Sequence, residues 1–291
     1  MSKIFKIVVL AKQVPDTRNV GKNAMKEDGT VNRAALPAIF NPEDMNALEQ
    51  ALRIKDKFPG TRVELLTMGP LRAADIIREG YFRGADGGVL LTDRKFAGAD
   101  TLATSYALSM AIRKINPDII ISGRQAIDGD TAQVGPQVAE KLGIPQITYA
   151  ENVISIKDGT ITVIRRLERG IEEVRSIYPV LITVNSSAPA CRPRNAKQVM
   201  KYKHARTVSE LNDKEDHSYF PVTNFQELII PEWGVTDVGG EEEKYGLSGS
   251  PTKVKKIENI VFQVKESKKL TSSDEDIDSL VKELISSHTI G

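Results

Sequence analysis

Residues 122–136 read SGRQAIDGDTAQVGP, a stretch with three glycines, two aspartates and little bulk. Gly123, Gly129 and Gly135 let backbone approach a ligand and present N–H groups with no side chain in the way. Thr131 and Gln133 add neutral donors, and the residues from Val134 to Leu142 fit a helix whose N-terminus faces the stretch. Backbone amides beside a helix N-terminus suit phosphate oxygens. Asp128 and Asp130 argue against a bare phosphate pocket, although an aspartate here can cap a turn or accept from a ribose hydroxyl. A tight strand-to-helix turn with aspartate caps is the plain alternative.

Three more segments carry unusual sequence at corresponding places: AKQVPDT (11–17), TMGP (67–70) and the Asn41-Pro42 pair. If each follows or flanks a parallel strand, all four lie near one carboxyl edge of a sheet, where open α/β folds bind ligands. A nucleotide held mainly by backbone is the chemistry that follows. Other chemistries lack their residues. There is no G-x-G-x-x-G and no G-x-x-x-x-G-K-[ST]. One cysteine, Cys191, and three scattered histidines, His204, His217 and His288, supply neither a nucleophile–base set nor a metal site. Glu43, Asp44 and Asp100 sit at helix starts, where capping accounts for them, so no catalytic residue and no metal ligand is assigned.

The elements that must position these segments alternate. Strands are expected over residues 3–11, 62–67 (RVELLT), 88–92 (GVLLT) and 118–122 (DIIIS), near-continuous apolar runs of the kind covered on both faces. Between them, Asn41 as cap, Pro42 and the acids Glu43 and Asp44 open one helix, with Met45, Leu48 and Leu52 as its stripe. Asp100 and Thr101 open another that stops before Asn116-Pro117. This βαβα order predicts an α/β fold with a doubly wound, mostly parallel, Rossmann-like sheet. After Pro145, residues 147–156, 160–168, 172–178 and 180–184 read as a β-meander with turns at KDGT (157–160) and Arg169-Gly170.

Beyond Ser186 the globular pattern fades into an extended C-terminal arm that does not fold on its own. It ends in SSDEDIDSLVKELISSH (272–288), where Ser272 and Glu275 have capping-box spacing and Ile277, Leu280, Val281, Leu284 and Ile285 share one helical face. The expected division is residues 1–185 as the nucleotide-binding domain with its meander, and 186–291 as docking loop and arm. A formal net charge of +1 leaves no basic surface for nucleic acid. Residues 3–11 read as a strand and not as a signal peptide, and no apolar run approaches the roughly 20 residues that span a bilayer. The expectation is a cytoplasmic protein without membrane insertion.

LAKQVPDT, NPEDMNALEQALRIKD, LLTMGP, REGYFRGAD and SGRQAIDGDTAQVGP, in this order and spacing, resemble the β subunit of electron transfer flavoproteins, from about Lys3 to Tyr202. RRLERGIEEVRSIYPVLIT (165–183) also resembles the family signature, with Arg169 where an acidic or small residue is usual. The resemblance implies a heterodimer with an α subunit that carries FAD. In conventional members the β subunit binds AMP; in electron-bifurcating members a second FAD occupies that site. The matching cofactor-binding positions are Ala11, Asn41, Pro42, Glu43, Asp44, Met68 and the run Gly123, Arg124, Gln125, Ala126, Ile127, Asp128, Gly129, Asp130, Thr131, Ala132, Gln133 and Val134. RKFAGADT (94–101) and VNR (31–33) resemble the bifurcating pattern, which adds Asp100, Thr101 and Thr104 to the site. The implied function is acceptance of hydride from NADH, with one electron passing to ferredoxin or flavodoxin. The other passes through the α-subunit FAD to a partner flavin dehydrogenase.

Two departures bear on partners. The docking loop reads CRPRNAKQVMK (191–201), and Ala196 stands where family members place a leucine that anchors an acyl-CoA dehydrogenase. The partner expected is therefore a flavin-dependent dehydrogenase other than the standard acyl-CoA type, or one docked differently, with a 2-hydroxyacid type included. The stretch 221–240 looks longer than the usual tail, whereas GLSGSPT (246–252) resembles many members, and the arm is expected to wrap the α subunit. Two other readings remain: a conventional shuttle with AMP, and an adenine-nucleotide-binding regulatory module of similar fold.

Overall fold

The structure is a computed structural model and describes residues 4–16, 37–212, 225–252, 269–287 and 289. The VNR feature at 31–33, residues 221–224 of the long tail, His217 and His288 lie outside the described residues. The chain divides into two compact units, Met1–Val254 and Lys255–Gly291.

The first unit begins with β1 (Lys6–Leu10), the short antiparallel pair β2 (Gln13–Pro15) and β3 (Ala38–Phe40), and α1 (Pro42–Lys57). Then follow β4 (Arg62–Met68), α2 (Ala74–Arg83), β5 (Gly87–Leu91), α3 (Thr101–Ile115), β6 (Ile119–Gly123) and α4 (Val134–Leu142). The chain continues through β7 (Gln146–Lys157), β8 (Thr160–Leu167), β9 (Gly170–Ile177) and β10 (Val180–Val184). Short elements complete it: α5 (Ala196–Tyr202), β11 (Arg206–Thr207), α6 (Val208–Leu211), β12 (Ile229–Ile230), β13 (Glu232–Trp233) and α7 (Val235–Val238).

Nine strands form one sheet in the order β13-β5-β4-β1-β6-β10-β7-β8-β9. All neighbours from β13 to β7 are parallel; β8 and β9 extend the edge antiparallel. The apolar runs are continuous because successive side chains feed two different cores. Ile7 and Val9 of β1 pack with Leu48 and Leu52 of α1 and Ile77 of α2. Val8 and Leu10 face Ala107, Leu108 and Ala111 of α3 and Val138 of α4. The chain leaves β1 toward β4 on one side and reaches β6 on the other, so strand order reverses at β1 and opens a crevice at the carboxyl ends of β1 and β6.

The sheet is doubly wound and mostly parallel, as the sequence predicts, with two differences. Residues 180–184 do not close the meander. They form β10, which inserts between β6 and β7 parallel to both. All five residues, VLITV, are buried, and such a run is stable only where both faces are covered. The meander proper is β7-β8-β9. Nor is the chain beyond Ser186 devoid of core. Ala188, Tyr202, Ala205, Leu228 and Ile230 join the core on the α1 side, Val235, Val238 and Tyr245 the other, and β13 pairs with β5. These anchors are single residues without period, so they leave no pattern in the sequence.

The second unit holds α8 (Asp274–Ser286). Its cap is Ser273, whose side chain accepts from the Asp276 amide, and not Ser272. Both serines have an acid three residues on; the Ser273 frame also lets Thr271 donate to Asp276 at 2.6 Å. Ile277, Leu280, Val281 and Ile285 are exposed. Among the described residues no helix is long and apolar enough to cross a membrane.

Candidate functional site

The first turn of α1 holds the crevice together. Asn41 is fully buried, and its side chain makes no capping bond to the helix. It donates to the Gln125 carbonyl at 2.8 Å and accepts from the Ile127 amide at 3.2 Å. Glu43 accepts from the Gln125 amide at 2.8 Å and from the Arg124 guanidinium at 3.3 Å. Asp44 accepts from the amides of Lys12 and Gly123, each at 2.9 Å. Capping therefore does not account for these residues. Their chain neighbours in space are the loops after β1 and β6, and three side chains of one helical turn clamp both. Burial drives the Asp44 carboxyl up to about 7, against the Lys12 and Gly123 amides, which favour its ionised form.

The glycines divide by role. A Cβ at Gly123 would lie 2.5 Å from Asp44 Oδ1 and 2.7 Å from the Glu43 carbonyl carbon, so glycine is needed for the clamp to close. One at Gly135 would lie 2.8 Å from Thr183 Cγ2, which ties α4 to β10. Only Gly129 of the three faces open space, with nothing within 4 Å of a built Cβ.

Between these points the loop is strained. Asp130 and Ala132 adopt left-handed φ values of 48° and 52°, a conformation that costs a non-glycine residue on the order of 1–3 kcal/mol. Gln125 donates to Asp130 at 2.9 Å, and the Lys12 ammonium reaches both oxygens of Asp128 at 2.8 Å. The amides of Thr131, Ala132 and Gln133 donate to no acceptor among the described residues. Four buried polar atoms around the same edge also lack partners there: Thr67 Oγ1, Ser122 Oγ, Arg124 Nε and Gln137 Oε1. Strain and orphaned donors together mark a place prepared for a polar ligand.

At α3, Asp100 does cap, accepting from the amides of Leu102 at 2.9 Å and Ala103 at 3.0 Å. Its second oxygen accepts from the Thr252 amide at 3.1 Å, and its own amide donates to Ser250 at 2.8 Å. Burial raises its pKa, but the Ala103, Thr252 and Leu102 amides outweigh burial and hold the carboxyl below the usual range. Residues 246–252 thus buttress the start of α3, and a Cβ at Gly246 would sit 2.1 Å from the Lys95 carbonyl oxygen. Thr101 donates to Gln133 Oε1 at 2.9 Å, and Gln137 donates back to Thr101 at 3.5 Å. The N-termini of α3 and α4 therefore meet across the loop.

Of the residues singled out by sequence, Asn41, Glu43, Asp44, Gly123, Arg124, Gln125 and Ile127 form one bonded cluster, and Thr101 reaches the far end of the loop separately, through Gln133. Pro42 opens α1. Ala126 accepts from the Gly129 and Asp130 amides inside the loop, and Val134 opens α4. Ala11 and Met68 lie at the ends of adjacent strands, with the Ala11 amide donating to Leu66 at 3.0 Å. Thr104 sits one turn into α3 and is partly buried. These last three make no hydrogen bond to the loop. Sequence reading does not single out Lys12, Ser122, Gln137 or Tyr149, over whose ring the Arg124 guanidinium lies at 5.8 Å. Lys12 alone leaves a signal, as the one cation at the tip of the first strand.

A family model for the electron transfer flavoprotein domain matches residues 28–209. The electron transfer flavoprotein subunit beta of Megasphaera elsdenii is 43% identical over 260 residues, 87% of each chain. The caffeyl-CoA reductase-Etf complex subunit CarD of Acetobacterium woodii is 42% identical over 251 residues, 86% of each chain. The acryloyl-CoA reductase electron transfer subunit gamma of Anaerotignum propionicum is 52% identical over 183 residues, which span 62% of this chain and 67% of its own.

Proposed function

As the chain belongs to the electron transfer flavoprotein β-subunit family, we propose that it is the β subunit of an electron-bifurcating heterodimer and that its crevice binds FAD. The heterodimer takes an electron pair from NADH in the cytoplasm. It passes one electron to ferredoxin or flavodoxin and the other, through the FAD of an α subunit, to a flavin-dependent dehydrogenase.

The observation that carries this reading is the bond from Thr101 to Gln133. It joins a second helix N-terminus to the loop, and so adds a second anion-favouring helix start to the polar lining. The Thr131, Ala132 and Gln133 amides and the two helix starts suit the pyrophosphate. Asn41 and the Glu43–Asp44 turn keep the backbone after β1 and β6 rigid around the adenosine. Bound FAD would supply hydride acceptance and single-electron delivery, chemistry that needs no protein acid or base.

Residues 186–291 serve in this reading as docking loop and arm. Arg192 is held by Glu49 at 2.9 Å and Asp56 at 2.8 Å, and Arg194 by Glu79 at 2.8 Å, so the segment before α5 is fixed to the domain. Ala196 opens α5 and is exposed, a small surface where a bulky anchor would protrude. The names of the Acetobacterium and Anaerotignum relatives favour an acyl-CoA-directed partner over a 2-hydroxyacid dehydrogenase.

Cofactor content of the protein co-expressed with its α subunit tests the proposal, by denaturing extraction and chromatography. Two FAD per heterodimer and no AMP are expected. One FAD with one AMP would make the protein a conventional shuttle and overturn bifurcation.

A further inference from the structure

A second pocket lies at the other end of α1, roughly 15 Å along the helix from the Glu43 clamp at 1.5 Å per residue. It is a groove of about 230 Å³ between the last two turns of α1 and the outer half of β7. We infer that this groove binds a small organic oxyanion, with a carboxylate or phosphate head on an apolar body of a few carbons.

The cations decide the head. Arg53, Lys57 and Lys157 line the groove and no acidic side chain does. Arg53 Nη1 is shielded from solvent and has no hydrogen-bond partner. Among the described residues none of the three cations enters an ion pair. Their neighbours on the same helix do: Lys55 with Asp86 at 2.6 Å and Asp56 with Arg192 at 2.8 Å. The dipole at a helix C-terminus accounts for Lys57, but not for the Arg53 guanidinium, which lines the groove one turn earlier without a carboxylate partner among the described residues. A guanidinium free of carboxylates suits a carboxylate or phosphate through charge-assisted N–H bonds, and the two lysines add mobile point charges at the rim.

The walls decide the body. Ile54 and Ile156 are buried and Phe58 is partly so, which gives an apolar floor beneath the cations. The groove is held open by structure. Gln50 donates to the Glu151 carbonyl at 3.0 Å and accepts from the Val153 amide at 3.4 Å, which fixes β7 to α1. Register shifts in β7 between Ala150 and Asn152 and between Val153 and Ser155 accompany this course. The volume admits a head and a short body, and is too small for a dinucleotide.

Calorimetric titration of the full-length protein with phenyl phosphate, hexanoate and inorganic phosphate tests the inference. Wild type should bind phenyl phosphate or hexanoate at least tenfold more tightly than inorganic phosphate. Arg53→Met should weaken that binding at least tenfold and Lys157→Met about threefold, with nucleotide content per chain unchanged as the check on folding. If Arg53→Met does not fold, the Lys57→Met/Lys157→Met double variant should show the loss instead. No binding by wild type, equal binding by the variants, or inorganic phosphate binding as tightly as phenyl phosphate would each overturn it.

Discussion

Replacing Asp44 by asparagine should flatten the pH dependence of stability between about pH 4 and pH 7. The wild-type carboxyl is 7% exposed, and burial raises its pKa from the ordinary 3.8 to about 7. Between those values the folded protein keeps a proton that the unfolded chain has lost, so stability falls as pH rises. The contribution is fully present below pH 4 and is gone once pH passes 7. At about 1.4 kcal/mol per pH unit, an interval of roughly three units amounts to about 4 kcal/mol. Asparagine does not titrate, but its amide nitrogen must face either the Lys12 or the Gly123 N–H, which leaves one donor unsatisfied at a cost of about 1–3 kcal/mol. Urea unfolding of both proteins in half-unit steps from pH 4.5 to 8 gives the difference in stability directly. Wild type should lead at pH 4.5, and its advantage should shrink by roughly 3–4 kcal/mol by pH 8. A difference that stays level across the range would refute the claim that burial outweighs the Lys12, Asn41 and Gly123 hydrogen bonds at Asp44.

Gly123→Ala puts a methyl 2.7 Å from the Glu43 carbonyl carbon. The start of α1 must then move by about 0.7 Å at a cost of about 1–3 kcal/mol, or a fall of roughly 3–10 °C in Tm for a unit of this size. Nucleotide should also be lost on gel filtration, and an unchanged Tm with full nucleotide content would contradict the clamp. Thr101→Val removes the hydroxyl that donates to Gln133 and should leave Tm within about 2 °C. It should lower FAD content several-fold while AMP uptake by the apoprotein stays intact, whereas equal loss of both would show that α3 does not distinguish the larger cofactor.

What could be read from sequence was what is local. The parallel strands announce themselves because Ile7 to Leu10 and Ile119 to Ile121 are apolar without interruption, and α3 begins at its Asp100 cap as expected. The destination of β10 was hidden, because VLITV after a hairpin reads equally as its next strand; only the pairing with β6 and β7 separates the cases. Asn41 shows the same limit at the site. Asparagine before proline is a good helix cap in isolation, yet its partners Gln125 and Ile127 lie 84 and 86 residues away. Gly123 and Gly135 likewise look like openings for a ligand, while their space is taken by α1 and by Thr183.

Long-range pairing also answers the objection that the sequence raises against itself. Four carboxylates, at Glu43, Asp44, Asp128 and Asp130, surround amides said to suit a phosphate, and free they would repel one. None of them is free. Glu43 is matched by Arg124 and the Gln125 amide, and Asp128 by both contacts of the Lys12 ammonium. Asp130 accepts from Gln125, and burial leaves Asp44 titrating near neutrality. Each acid is tied to the loop or to the residues beside it, two through a cation and two through neutral donors. What remains without an acceptor among the described residues is the row of Thr131, Ala132 and Gln133 amides, backed by the starts of α3 and α4, whose N–H dipoles point positive ends at the loop. The acids that seem to bar an anion are what hold its donors in place.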